Sequence, residues 1–255
     1  AFGLAGTSVF VLIWFVHHAA SSIQASSIVA SVADEIACEL PTLFPEELGR
    51  ATRDADASAD VAAPAEGSVR AADVVAASSG YLRVVGGEAL LAAAVEHDLR
   101  IELLVRPGDF VADGDALARV APAERADEAV LADIGESFVL GTHRTPVQDL
   151  GFLTDQLVEM AVRALSPGIN DPSTAVACVR RLGVVIGELA GRRMPSPERR
   201  DADGAVRVVA PATTFDGVVS GCLDPIRPYG ARDADVVAAV LSSLAAAMLR
   251  CPSPA

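Results

Sequence analysis

Lysine is missing altogether from the 255 residues; all 20 basic side chains are arginine. That absence excludes Schiff-base chemistry, a P-loop lysine, and a biotinyl- or lipoyl-lysine carried by this chain. Aromatic residues make up only 4% of the sequence, and the four cysteines, Cys38, Cys178, Cys222 and Cys251, form no C-x-x-C pair. Neither a zinc ribbon nor a thioredoxin-type site is therefore encoded. Their scatter reads as small buried hydrophobes in a reducing compartment. Positive charge is scarce: 34 acidic residues against 20 basic ones leave a net charge of −14, which opposes general binding to DNA or RNA. The histidines His17, His18, His97 and His143 fall into no H-E-x-x-H pattern, and no G-x-S-x-G elbow or glycine-rich nucleotide loop is found. No catalytic constellation, metal site or cofactor is expected on these grounds, and the pattern leans away from an enzyme.

Charge of either sign is absent from residues 1–33. Residues 2–16 (FGLAGTSVFVLIWFV) are almost wholly apolar. They read as the end of a transmembrane helix with Trp14 at the membrane interface, or else as a buried core helix. No positive leader or cleavage site marks a signal peptide. The histidine pair His17 and His18 is expected to anchor at the interface; metal binding or pH sensing is the alternative, although neighbouring side chains diverge by about 100° on a helix. Ile23, Ile28, Val32, Ile36 and Leu40 then mark an amphipathic stalk up to residue 40.

Beyond the stalk, residues 41–66 mix Pro, Asp, Ala and Arg without a period and read as a linker. Residues 67–122 predict a small β-rich module: YLRVV, a short helix EALLAAAVEHD, the strand LRIELLV, and two turn signals at Gly108-Asp109 and Asp113-Gly114-Asp115. The spacing G-D-x-V-x-x-G-D-x-L resembles the hairpin of biotinyl- and lipoyl-type barrels, so a barrel-like module is expected, though without lysine it carries no swinging arm. Residues 123–255 read as a mainly helical domain, making the whole chain α+β. Within it, Leu150, Leu153, Leu157, Met160, Ala161 and Ala164 mark one helical face. A second stripe, Val176, Val179, Leu182, Ile186 and Leu189, follows an N-cap at Asp171 and a first-turn proline at Pro172. Gly183, Gly187 and Gly191 form a ridge for close helix packing, because Arg180 and Arg181 oppose burial in a membrane. Arg192, Arg193, Arg199 and Arg200 make the basic cluster, either a solvated loop or a contact for anionic lipid.

The runs FVHHAASSIQASSIVASVADE, SGYL, RPGDFVADGDAL, RTPVQDLGF, RALSPGINDPSTA and IRPYG, in that order, resemble the bacterial predicted membrane proteins of domain-of-unknown-function family 2254 over nearly the whole chain. The resemblance implies several transmembrane helices ahead of a large C-terminal region. This chain is then that region, in a multi-pass cell-membrane protein with the C-terminal part cytoplasmic. Pro228 in IRPYG departs from the family pattern and suggests a local kink. The implied partners are the lipid bilayer and further copies of the chain; no nucleic acid is expected, and a small ligand is unassigned. Arg144, Gln148 and Asp149 at one motif, with Arg163, Ser166, Asn170 and Asp171 at the other, are the candidates for ligand binding, or else for capping and hydrogen bonding between helices. An oligomeric channel- or transport-like protein and a membrane-tethered sensor or scaffold are the two functional expectations.

Overall fold

The computed structural model describes residues 3, 6–8, 10–14, 25–43, 70–192 and 194–251, with side chains left out for 25–27 and 41–43. His17, His18 and residues 44–66 of the expected linker lie outside the described residues. The chain divides into two compact units. A helical unit comprises Ala1–Cys38, Leu153–Gly191 and Val219–Ala255, and a β unit comprises Glu39–Phe152 and Arg192–Val218.

Among its described residues the β unit holds eight short strands: β1 (Ala72–Val75), β2 (Gly80–Val85), β3 (Arg100–Leu103), β4 (Phe110–Val111), β5 (Ala116–Ala121), β6 (Phe138–Gly141), β7 (Glu198–Arg200) and β8 (Val206–Val209). They form two open sheets, one of five strands in the order β1-β5-β3-β8-β7 and one of three in the order β4-β2-β6. The barrel-like module is thus corrected to two open sheets. The five-stranded sheet draws β7 and β8 from residues 198–209, and β8 lies parallel to β3, a pairing that no hairpin can make and that needs a long crossover. Along β1, β5 and β3 the pleat sends Val74, Ala118, Val120 and Ile101 into the core. The opposite face carries Asp73, Arg119 and Glu102, which lie in register across the three strands. Helices α2 (Gly87–Glu96) and α3 (Glu128–Glu136) cover the apolar side, α2 on β3 and β8 and α3 on β1 and β6. Leu90, Leu99, Ile101, Val120, Ile134 and Val208 meet between them. Asp127 opens α3 by accepting a hydrogen bond from the Val130 N–H, the capping role its position calls for.

In the helical unit, helix α1 (Ala25–Leu43) runs two residues past Pro41. Its buried face is Val29, Val32, Ile36 and Leu40, whereas Ile28 is 42% exposed. Ile28 in the expected stripe is therefore replaced by Val29, because steps of three and four keep to a 3.6-residue turn and a step of five does not. Helix α4 (Leu150–Ala164) buries Leu150, Leu153, Leu157, Ala161 and Ala164. Helix α5 (Pro172–Ala190) is buried on most of its circumference. Helices α6 (Phe215–Leu223), α7 (Arg227–Gly230) and α8 (Ala234–Met248) follow. Pro228 lies in the first turn of α7, where a missing N–H leaves nothing unpaired, so the expected kink is a helix start.

Packing of α5 on α8 depends on a missing side chain. A Cβ on Gly183 would stand 2.3 Å from Ser243 Oγ, and one on Gly187 would stand 3.1 Å from Arg250. Contacts advance along both helices in the same sense, so α8 runs beside α5 in the same direction. Close backbone approach of this kind needs glycine. Cys178 and Cys222 are buried and Cys38 and Cys251 exposed, so the buried-hydrophobe reading holds for the first two and is corrected for the others. Burial pushes the Cys178 thiol up to about 11 and the Cys222 thiol up to about 12, which keeps both protonated and unreactive. Among the described residues no helix is long and apolar enough to cross a membrane.

Candidate functional site

Two turns six residues apart build the first part of the site. In Arg106-Pro107-Gly108-Asp109 the Asp109 N–H donates to the Arg106 carbonyl, and in Ala112-Asp113-Gly114-Asp115 the Asp115 N–H donates to the Ala112 carbonyl. Gly108 and Gly114, each third in its turn, have φ of 98° and 85°, the left-handed region that this position of a type II turn requires. Each turn is locked by its own aspartate. Asp109 Oδ2 accepts from the Arg106 N–H at 3.0 Å, and Asp115 Oδ2 accepts from the Ala112 N–H at 2.8 Å. The first turn then docks on β2, since the Gly108 N–H donates to the Leu82 carbonyl and the Leu82 N–H to the Asp109 carbonyl, both at 2.8 Å.

The second part arrives from residues 144–152. Arg144 Nε donates to Asp149 Oδ2 at 2.9 Å, and its Nη2 donates to Asp149 Oδ1 at 3.1 Å, a two-point guanidinium–carboxylate pair. Asp149 Oδ1 also accepts from the Phe152 N–H at 3.0 Å, capping the start of α4. The guanidinium lies 5.6 Å from the centre of the Phe152 ring, within cation–π reach. A Cβ on Gly108 would sit 2.3 Å from Asp149 Oδ2, so the carboxylate rests directly on the glycine backbone. Gln148 joins the same structure. The Val85 N–H donates to its Oε1 at 2.9 Å, and its Nε2 donates to the Val85 carbonyl at 3.3 Å, so the side-chain amide pairs with β2 as a neighbouring strand would.

SGYL, RPGDF and RTPVQDLGF thus converge in the β unit on Leu82, Gly108 and Asp149. Asp149 is 6% exposed, and both its oxygens are engaged. It could act as a general base or metal ligand only by leaving Arg144 and the Phe152 N–H. Sequence reading singled out Arg144, Gln148 and Asp149 but not Gly108 as the surface beneath them; its G-D turn marks the bend and gives no sign of what lies against it.

The other four candidates belong to the helical unit. Asp171 caps α5, its Oδ1 accepting from the Thr174 N–H at 3.2 Å and its Oδ2 from the Thr174 hydroxyl at 2.6 Å. Those bonds, the hydroxyl first, hold the carboxyl below its ordinary range. The Asp171 N–H closes back on the Ala164 carbonyl at 2.8 Å, and the Ser166 carbonyl accepts from the Ile169 and Asn170 N–H groups. Asn170 has φ of 49°, a conformation asparagine tolerates better than most side chains. Arg163 is exposed in the last turn of α4. Trp14 is 58% exposed.

An ion network in the β unit was not foreseen. Asp98 meets Arg125 and, at 2.6 Å, Arg207, and Arg207 Nε meets Asp201 at 2.7 Å. These hydrogen bonds, with Arg207 first in each case, hold Asp98 and Asp201 below the ordinary carboxyl range. Network members stand up to 109 residues apart, which leaves no local sequence signal. Elsewhere in the unit, Val84, Gly86, Ala89, Asp133, Glu136, Ser137 and Val139 line an open cleft of about 340 Å³, with none of the expected site residues on its walls. No group of three or more His, Cys, Asp and Glu side chains suited to a metal ion is found among the described residues.

Residues 1–246 match the family described as Predicted membrane protein (DUF2254). An uncharacterized protein of Mycobacterium bovis is 32% identical over 256 residues, covering 98% of this chain and 48% of its own length. An uncharacterized protein of Mycobacterium tuberculosis strain H37Rv matches with the same identity and coverage. The chain therefore spans about half the length of the curated relatives it matches. No solved structure matches it significantly.

Proposed function

This chain belongs to the DUF2254 family of predicted membrane proteins, and from that premise we propose that it is a membrane-tethered assembly region rather than a catalytic one. The observation that carries this reading is a run of five consecutive apolar side chains, Phe10 to Trp14, each more than half exposed. A contiguous apolar surface of this kind is unfavourable in water and matches hydrocarbon or the interface around it. On this reading residues 2–16 sit in the bilayer, with Trp14, His17 and His18 at its edge. Helix α1 is the stalk, and the region beyond it lies on the cytoplasmic side and meets further copies of the chain, as an oligomeric channel- or transport-like protein requires. The Arg144–Asp149–Gly108 contact supports an architectural role for the motifs, since their polar atoms are engaged with one another.

Trp14 is the single tryptophan, which makes the test direct. Full-length chain mixed with phosphatidylcholine–phosphatidylglycerol vesicles should float with the lipid, and its emission should shift to the blue and be quenched by brominated acyl chains. Replacing Leu12 and Ile13 by aspartate should abolish both effects. A chain that stays in the aqueous fraction with unquenched Trp14 emission refutes the tether.

A further inference from the structure

Helix α8 has two apolar sectors, of which its own fold uses one. Val236, Ala239, Ser243 and Ala247 face inward, and Ser243 packs against Gly183. A different sector carries Val237, Leu241, Leu244 and Met248, spaced by four, three and four. Leu241 and Met248 are 62% and 75% exposed, Val237 is 38% exposed, and Leu244 is half-buried. Steps of four, three and four are the a/d seam of a helix pair. We propose that this seam is the contact surface for a second copy of the same chain.

Charge and shape favour that occupant. The chain carries a net charge of −14, so most faces repel their own copy, yet residues 236–249 contain no charged side chain at all. Along the seam itself, from Val237 to Met248, two copies therefore set no charge against its like. A lipid-facing helix would carry basic residues along a polar side and Trp or Phe; the seam of α8 has neither. Ala238, Ser242 and Ala245 flank it, small enough for a second helix to approach closely. The Ser242 hydroxyl donates to the Ala238 carbonyl at 2.8 Å, so it brings no unmatched donor to the contact. A 15-residue helix offers about two heptads, less than the surface of a standard stable complex. The pairing is therefore weak in dilute solution and is promoted by confinement on a membrane, where effective concentration is high. That last step rests on the tether proposed above.

The test uses the full chain in phosphatidylcholine–phosphatidylglycerol vesicles, with Cys38→Ser and Cys251→Ser removing the exposed thiols. Under mild oxidation Leu241→Cys should cross-link to a dimer about tenfold faster than Asp235→Cys, because a disulfide demands close Cβ atoms. Met248→Cys should cross-link as well, and adding Leu241→Glu to it should remove that cross-link while unit-resolved hydrogen exchange stays unchanged. Equal rates at positions 241 and 235 overturn the seam. So does a Leu241→Glu chain that leaves the vesicles with its dimer fraction unchanged, since lipid would then be the occupant. Flotation of the same samples separates the two readings. Chains that float without cross-linking sink the seam alone. Chains that fail to float yet cross-link at high concentration in detergent sink the tether alone, and chains that do neither sink both.

Discussion

The two units reach order by opposite routes. In the β unit, segments far apart in sequence are joined by polar atoms: Gln148 to Val85, and Asp98 to Arg125 and Arg207. In the helical unit, the polar atoms of RALSPGINDPSTA serve the helix beside them, and long-range order comes from Gly183 having no side chain where Ser243 stands. Polar pairing tolerates shape changes and fails when one partner is removed; close packing fails when anything is added. The comparison is sharpest under substitution, and the helical unit should show the largest single effect. Gly183→Val forces atoms into a space that Ser243 Oγ already fills and should cost about 3 kcal/mol or more. The same substitution should leave hydrogen exchange in the β unit unchanged. Gly183→Ala combined with Ser243→Gly should recover most of the loss; a double variant no better than Gly183→Ala alone would show that the contact is not what limits the packing.

Removing one partner tests the β unit. Arg144→Ala strands a carboxylate that is 6% exposed, and an uncompensated buried charge costs about 3 kcal/mol. Asp149→Asn keeps the shape and the Phe152 N–H acceptor, so its cost should be smaller. Chemical denaturation followed by exchange in residues 80–85 and 106–110 reads both variants. If Asp149→Asn proves the more damaging, the pair is not working through stranded charge.

What could be read in advance divides along the same line. Helices α4 and α5 were legible because a 3.6-residue stripe and an N-cap act within a few residues, and Asp171 and Pro172 stand where capping chemistry places them. The two glycine–aspartate turns were legible for the same reason. Parallel pairing of β3 with β8 was not, because its partners lie about a hundred residues apart and each strand alone looks like any short edge. That pairing also turns the expected barrel into open sheets. At the site, Arg144, Gln148 and Asp149 stood out as polar groups ahead of a helix. Their supports are backbone atoms: Val85 offers only its N–H and carbonyl, and Gly108 signals the turn it makes but not the carboxylate that lies on it. Ile28 is bulkier than Val29, but the phase set by Val32, Ile36 and Leu40 turns Val29 inward.

Capping provides a smaller effect, confined to one unit. Asp171→Ala removes the acceptor of the Thr174 N–H and hydroxyl, and should lower the melting midpoint of the helical unit by about a few degrees. Asp171→Asn, an equally good cap in general, should restore most of it. Failure of asparagine to do so would mean that the charge at α5, rather than the hydrogen bond, matters there.

The smallest difference separates the units by the kind of partner their carboxylates hold. Asp171 is held below its ordinary pKa first by the Thr174 hydroxyl, and Asp98 and Asp201 first by Arg207. A lowered folded-state pKa gives stability that is present above the unfolded value, near 4, and is lost as the pH falls through the folded value. Both units should therefore loosen below about pH 4, seen as faster exchange near residues 98, 201 and 207 and near 171–174. Salt tells them apart. The Asp98–Arg125 pair is exposed, at 60% and 51%, whereas the Asp201 side chain is only 7% exposed beside Arg207. Salt screens exposed pairs far more than part-buried ones, so at about 1 M salt the acid sensitivity around Asp98 should shrink. A hydrogen bond to a neutral threonine is short-ranged and keeps its effect, so exchange at 171–174 should respond to acid alike at both salt concentrations. Equal salt dependence in the two units would show that Asp171 answers to charge more distant than Thr174.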